Sequence, residues 1–349
     1  MKVSFSVLTL LLSTFLSFSQ SITGVVLDAQ TRMPIESASV YFDNTTIGTS
    51  TNDKGEFEIE KGDHINATLV ISFLGYEKVL ITDYNDKINL EILLKEAPDA
   101  LDEVVISSFD GMSKALKLQF FREQFLGKSK LAESCIILNE DDLILKYDKE
   151  KKQLSASALN PIQVKNEDLQ YLITFELEAF ELYFSYANLL KEQFRIRSMF
   201  YLGTSFYKPM ESSKNRRTEK KRERVYKGSV LHFMRALTAE QLKKEKFSIF
   251  RDGLGVKPDK YISVSTVDIT GLFLVKMKGP LTVLYKGDKQ TEIKLSQSNI
   301  LQDPFFNIEF YVDRFGNYSP ISAFYLVGYM GNLRVGDSLP LDYNVEGDK

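Results

Sequence analysis

The sequence predicts a β-rich protein in two parts: an N-terminal antiparallel β-sandwich, then an α+β domain built mostly on antiparallel sheet. Three observations predict it. From Ser21 to Lys95, short runs alternate apolar and polar residues between turn residues, as half-buried strands require. Beyond residue 110, strand-like runs predominate and helical spacing appears in only a few stretches. The 349 residues are 44% hydrophobic and 26% charged, which suits a folded chain with room for two cores.

Residues 1–19 are expected to be a targeting segment. Lys2 precedes an apolar run from Val3 to Phe18 that closes on Ser17-Phe18-Ser19, a small-x-small cleavage pattern. A run of sixteen residues is short for a bilayer-spanning helix. The expectation is export, with cleavage after Ser19 or Gln20 and a periplasmic or outer-membrane-associated destination.

Residues 20–95 read as the sandwich, with five to seven strands. Within "GTSTNDKGEFEIEKG", residues 48–62, the acids suggest a metal loop at first sight. The alternation argues otherwise. Phe57 and Ile59 point one way, and Glu56, Glu58 and Glu60 the other, which makes a solvated strand face. Gly55 supplies a positive φ, Asn52 and Asp53 support the turn, and the reading is a hairpin. A helix–loop–helix calcium site needs flanking helices and a glutamate at its twelfth position, and Lys54 occupies the middle of this loop.

These residues, "ITGVVLDAQTRMPIESASVYFDNTTIGTSTNDKGEFEIEKG…LVISFLGYEKVLI…LDEVVIS", resemble the carboxypeptidase-regulatory-like domain. The resemblance rests on Gly24, Val26, Pro34, Ala38, Gly48, Thr49, Asp53, Gly55, Phe57 and the run Ser72 to Tyr76, over about 85 residues. It implies a transthyretin-like sandwich common in exported proteins of Bacteroidetes-type bacteria. The same domain extends TonB-dependent transporters, but the chain beyond Leu101–Ile106 is too short for their plug and barrel.

Residues 96–110 read as a linker and 111–349 as the α+β domain. In "MSKALKLQFFREQFLG", Leu116, Phe120 or Phe121, and Phe125 recur at helical spacing and Gly127 stops the run. "DDLILKYDKEKKQLSASAL" reads as a hairpin with its tip at Asp148–Lys152. "LQYLITFELEAFELYFSY" reads as a strand. Tyr171, Ile173, Phe175 and Leu177 share a face, whereas Phe180, Leu182 and Phe184 have the opposite parity, which predicts a bulge near Ala179. "GSVLHFMRAL" reads as a helix, and Thr238 with Gln241 as a capping box that opens another. Strands come next, including a hairpin turning at Gly316 and Asn317. "FREQFLG", "CIILN", "YKGSVLHFMRAL" and "GYMGNLRVGDSLPLDY" resemble the C-terminal region of exported carboxypeptidase-regulatory-like proteins, which implies an envelope location and no reaction.

The chemistry-bearing residues are few. A zinc carboxypeptidase needs His-x-x-Glu and a distant His, because catalytic zinc takes three protein ligands and keeps one position for water. His64 is followed three residues on by Ala67 and His232 by Arg235, so no metal, cofactor or catalytic residue is expected. His232 reads as a satisfied core-edge side chain and His64 as solvated. Cys135, the single cysteine, reads as a small buried hydrophobe. Gly127-Lys128-Ser129 lacks the upstream glycine of a phosphate loop. Gly336–Leu339, "GDSL", is not followed by a histidine that could serve as base for Ser338.

The sharpest charge feature is Lys214–Lys227, with eight basic residues and two glutamates. It reads as an exposed loop. Its functional reading is an anion-binding patch of Lys214, Arg216, Arg217, Lys220, Lys221, Arg222, Arg224 and Lys227, open to a peripheral membrane or polysaccharide contact rather than to nucleic acid. The sequence thus favours a non-enzymatic envelope protein, a docking sandwich joined to a domain that binds an envelope protein or glycan. One alternative is an accessory of TonB-dependent glycan uptake. Another is a carboxylate-based hydrolase using Glu176, Glu178 or Glu181.

Overall fold

The structure, a computed structural model, describes residues 20–61, 67–84, 89–97, 110–211, 215–267, 271–295 and 308–344. The targeting segment, His64, Lys214 and most of the expected linker lie outside them. The chain is β-rich with few helices.

Seven strands form the N-terminal part: β1 (Gln20–Asp28), β2 (Ser39–Phe42), β3 (Gly48–Ser50), β4 (Glu56–Lys61), β5 (Leu69–Ser72), β6 (Val79–Ile81) and β7 (Asn89–Leu94). They make two sheets, ordered β4-β1-β7 and β3-β2-β5-β6. Phe42, Leu69, Ile71 and Leu94 fill the space between them and are fully buried. All pairs are antiparallel except β1 with β7, which run parallel.

The Asn52–Gly55 turn is not a hairpin within one sheet. β3 pairs with β2 and β4 with β1, so the turn carries the chain from one sheet to the other. Alternation sets which face a residue takes but not which strand it pairs with. Asn52 Oδ1 accepts the backbone N–H of Lys54 and Glu56, both at 2.9 Å, and Asp53 stands exposed. Gly55 has φ 73°, and a Cβ there would lie 2.5 Å from the Val26 carbonyl oxygen.

The middle of the chain opens with helices α1 (Lys114–Phe125) and α2 (Lys130–Glu133). Strands β8 (Cys135–Ile137), β9 (Leu143–Asp148), β10 (Gln153–Ala158), β11 (Ile162–Asn166), β12 (Tyr171–Asn188) and β13 (Gln193–Pro209) come after them. β12 is the spine of this sheet. One edge pairs with β13 along its length, and the other pairs with β11 and then β10. The register shifts between Leu177 and Ala179, leaving Glu178 as the extra residue, where the parity switch places a bulge. Phe121 and Phe125 of α1 stack at 5.0 Å and pack on Phe180 and Phe175.

Helices α3 (Arg216–Tyr226) and α4 (Val230–Thr238) come next. The expected capping box does not form. Thr238 ends α4, its hydroxyl donating to the carbonyls of Met234 and Arg235, both at 3.2 Å. Glu240 at φ 56° then turns the chain out of the helix. Strands β14 (Phe247–Arg251), β15 (Leu254–Val256), β16 (Ile262–Val267), β17 (Leu272–Met277), β18 (Leu281–Tyr285), β19 (Lys289–Leu295), β20 (Ile308–Asp313), β21 (Tyr318–Ser319) and β22 (Phe324–Gly328) complete the chain, with α5 (Tyr329–Asn332) after them. They form sheets ordered β15-β14-β18-β19-β22 and β16-β17-β20-β21. Gly316 and Asn317 turn the β20–β21 hairpin, as their sequence indicates. Here Phe233 and Met234 of α4 meet Val275, Val283 and Phe310 in a core of their own.

Most of the buried hydrophobic residues thus fall into three clusters, and residues 335–343 contribute to two of them. Val335, Leu339 and Tyr343 enter the middle core, while Leu341, 5% exposed, enters the sandwich core. The guanidinium of Arg235 on α4 holds this segment, donating to the carbonyls of Phe315 (2.9 Å), Tyr343 (2.9 Å) and Leu341 (2.8 Å).

Candidate functional site

The basic run is helical rather than a loop. Asn215 caps α3 by accepting the Thr218 N–H at 2.9 Å. Thr218, Arg222, Val225 and Tyr226 recur on one face and are buried, so α3 is fixed to the middle core through a stripe that the charge density conceals. The opposite face brings Arg216, Arg217, Lys220, Lys221 and Arg224 around one concavity of about 620 Å³, which they alone line among the described residues.

Two expected members of the patch face elsewhere. Arg222 is 7% exposed and lies 4.0 Å over the Tyr171 ring, with its Nε donating to the Leu169 carbonyl at 2.9 Å. Lys227 pairs with Glu223 one turn back. Of the five that line the concavity, Lys221 pairs with Asp168. Among the described residues, no acid lies within ion-pair distance of Arg216, Arg217, Lys220 or Arg224.

A second polar cluster sits where the sandwich meets the β12–β13 ribbon. The Tyr41 hydroxyl donates to Glu176 Oε1 at 3.0 Å and lies 3.1 Å from Thr204 Oγ1. Lys78 Nζ is 2.6 Å from Glu178 and 3.8 Å from Glu176. Asp43 accepts the Ser205 N–H at 2.8 Å. Burial pushes the Asp43 carboxyl up to about 6, against the opposing pull of that bond and of Lys78. Burial also pushes the Tyr41 hydroxyl well above its usual range, with Glu176 adding to the effect. Backbone bonds complete the join: Asn44 N–H to Ser205 O (2.7 Å), Tyr207 N–H to Thr45 O (2.9 Å) and Leu341 N–H to Asn44 O (2.7 Å). The sequence showed these acids on one strand but gave no sign of Lys78 or Tyr41, which lie about 100 residues or more earlier.

The remaining chemistry-bearing side chains are committed to structure. His232, 3% exposed, accepts the Gly228 N–H at Nδ1 (3.0 Å), which leaves its proton on Nε2, 3.0 Å from Glu245. Its ring packs among Tyr226, Phe247 and Tyr285. Cys135 is half-buried rather than buried, and burial pushes its thiol up to about 12. The two motif look-alikes meet each other. Ser129 caps α2, accepting the Ala132 N–H at 3.0 Å, and donates to Asp337 Oδ1 at 2.6 Å. Ser338 donates to Val335 O at 2.7 Å and lies 2.6 Å from the Tyr207 hydroxyl. Among the acids, Glu181 accepts the Tyr183 hydroxyl at 2.6 Å. No helix of the described residues is long and apolar enough to cross a membrane.

No curated protein matches the chain. Among solved structures, a 9R-lipoxygenase from Cyanothece PCC8801 aligns with 63% of this chain and 48% of its own, at 8% identity and a TM-score of 0.18. A Bacteroides fragilis protein described as membrane-associated and of unknown function aligns over 83% of this chain and 92% of its own, at 10% identity and a TM-score of 0.18. Likenesses at that level carry no argument. Residues 22–106, however, match the family model of the CarboxypepD_reg-like domain, a non-catalytic Ig-like module, so this part of the chain is a carboxypeptidase-regulatory-like domain.

Proposed function

We propose that this chain is a non-enzymatic exported protein of the cell envelope, in which the sandwich is a rigid docking module and the remainder binds a partner. One observation carries the reading: His232, Ser338, Glu176, Glu178 and Glu181, the side chains that turnover would need, are each held in packing, hydrogen bonds or ion pairs. His232, Ser338 and Glu181 bond to Glu245, Tyr207 and Tyr183 rather than to one another, so they form no nucleophile–base pair. The join between the sandwich and the β12–β13 ribbon supports a fixed presentation, because polar groups desolvated on both sides are costly to separate. Export rests on the charged, apolar and small-residue pattern of residues 1–19.

The test has two arms. The exported protein should begin at Gln20 or Ser21 by mass, and that mature chain should turn over no peptide, ester or glycoside. Retention of residues 1–19 overturns the export reading, and hydrolysis abolished by His232→Ala or Glu176→Gln overturns the non-enzymatic one.

A further inference from the structure

We infer that the exposed face of α3 binds a compact anion carrying at least two closely spaced phosphate groups. This deepens the binding role proposed above and rests on it. The face is a built array rather than a scatter of surface charge. Arg216, Lys220 and Arg224 stand one turn apart in a row, and Arg217 and Lys221 form a second row beside it. Like charges at that spacing oppose the helix that carries them, so the arrangement calls for a counterion that α3 does not supply. The two glutamates of the helix do not supply it either: Glu219 pairs with Arg222 and Glu223 with Lys227. The buried stripe of Thr218, Arg222, Val225 and Tyr226 holds the helix in place, so the cations are arranged before any ligand arrives.

Charge density selects the ligand. Four cations with no acid partner among the described residues lie between positions 216 and 224, about 12 Å of helix. A terminal phosphate brings nearly two charges and three acceptor oxygens, so two adjacent groups balance the four. Arg216, Arg217 and Arg224 present planar forks that match phosphate geometry. A carboxylated polysaccharide brings one charge per group, and single-stranded nucleic acid would want aromatic side chains for stacking, whereas Tyr226 is buried. The five lining residues include no apolar side chain to enter a bilayer below its headgroups.

The experiment titrates sodium tripolyphosphate into the mature chain, residues 20–349, by calorimetry at 50 and 200 mM salt. Binding should weaken several-fold at the higher salt. The variant Arg216→Gln/Arg217→Gln/Arg224→Gln should lose tenfold or more in affinity while melting at the same or a higher temperature. Lys151→Gln/Lys152→Gln, at the tip of the β9–β10 hairpin, should bind as wild type. A second arm uses phosphatidylcholine vesicles doped with phosphatidylinositol 4,5-bisphosphate, whose headgroup carries two neighbouring phosphates. Vesicle binding competed by tripolyphosphate supports a lipid headgroup as the source, and binding of tripolyphosphate alone supports a soluble one. The proposal is overturned if wild type binds neither probe, if the triple variant binds undiminished, or if polygalacturonate of matched charge binds equally well. Phosphate release from tripolyphosphate would overturn the non-enzymatic reading and leave the site standing. Absence of binding removes the site and leaves that reading intact.

Discussion

Asp43 is a half-buried acid where the sandwich meets the β12–β13 ribbon. Its carboxyl accepts the Ser205 N–H and is pushed up to about 6 by burial. An acid whose folded pKa exceeds its unfolded value, near 3.9, stabilises the fold fully below the lower value and loses that contribution as pH rises through the higher one. Asp43→Asn keeps an oxygen for Ser205 and removes the titration. Wild type should therefore gain about 1–2 kcal/mol relative to the variant between pH 7.5 and 4.5, in urea melts run at each pH. Parallel stability profiles for the two proteins would remove Asp43 as the titrating group. Nothing around Asp43 in the sequence marks it, because its partners Lys78 and Ser205 come from a distant strand end and a distant strand. His232 was more legible: it stands among Leu231, Phe233 and Met234, and the structure buries it there with both ring nitrogens in contact.

At the scale of the element, local periodicity was readable wherever one face alone decided the outcome. The spacing of Phe121 and Phe125 placed α1, and the parity switch in β12 located the bulge beside Glu178. Two elements misled for opposite reasons. In α3 the buried stripe includes Thr218 and Arg222, which a hydrophobicity pattern reads as polar, so a docked helix passed for a loop. At Thr238 a capping pattern fell on a helix end, since the motif says nothing of direction. The bulge carries its own prediction. Gly203 faces Leu177 across it, and a Cβ there would lie 2.2 Å from the Glu176 carbonyl oxygen and 2.5 Å from the Phe175 ring. Both neighbours are fixed, one by the ladder and one by the core, so Gly203→Ala should cost about 2–4 kcal/mol. Equilibrium unfolding checks it, and a cost below about 0.5 kcal/mol would mean that the ribbon yields at this point.

At the scale of the molecule, one strip of chain joins the sandwich core to the middle core. Leu341 fills the sandwich while its neighbours at 339 and 343 fill the middle core, and Asp342 accepts the Thr46 N–H at 2.9 Å across 296 positions. No local pattern announces a contact of that separation, which is why the sequence did not show how the parts meet. Leu341→Ala should cost about 2–4 kcal/mol through the cavity it leaves. Hydrogen exchange should then quicken in β2 and β5, far from the substitution in sequence, and unchanged protection there would mean that the sandwich closes without residue 341. The same strip has a bearing on biogenesis. A nascent polypeptide emerges amino end first, yet its earliest-made module lacks one buried core side chain until residue 341 has been added. The module can close on its own strands early and gains its last packing contact only when synthesis is nearly done.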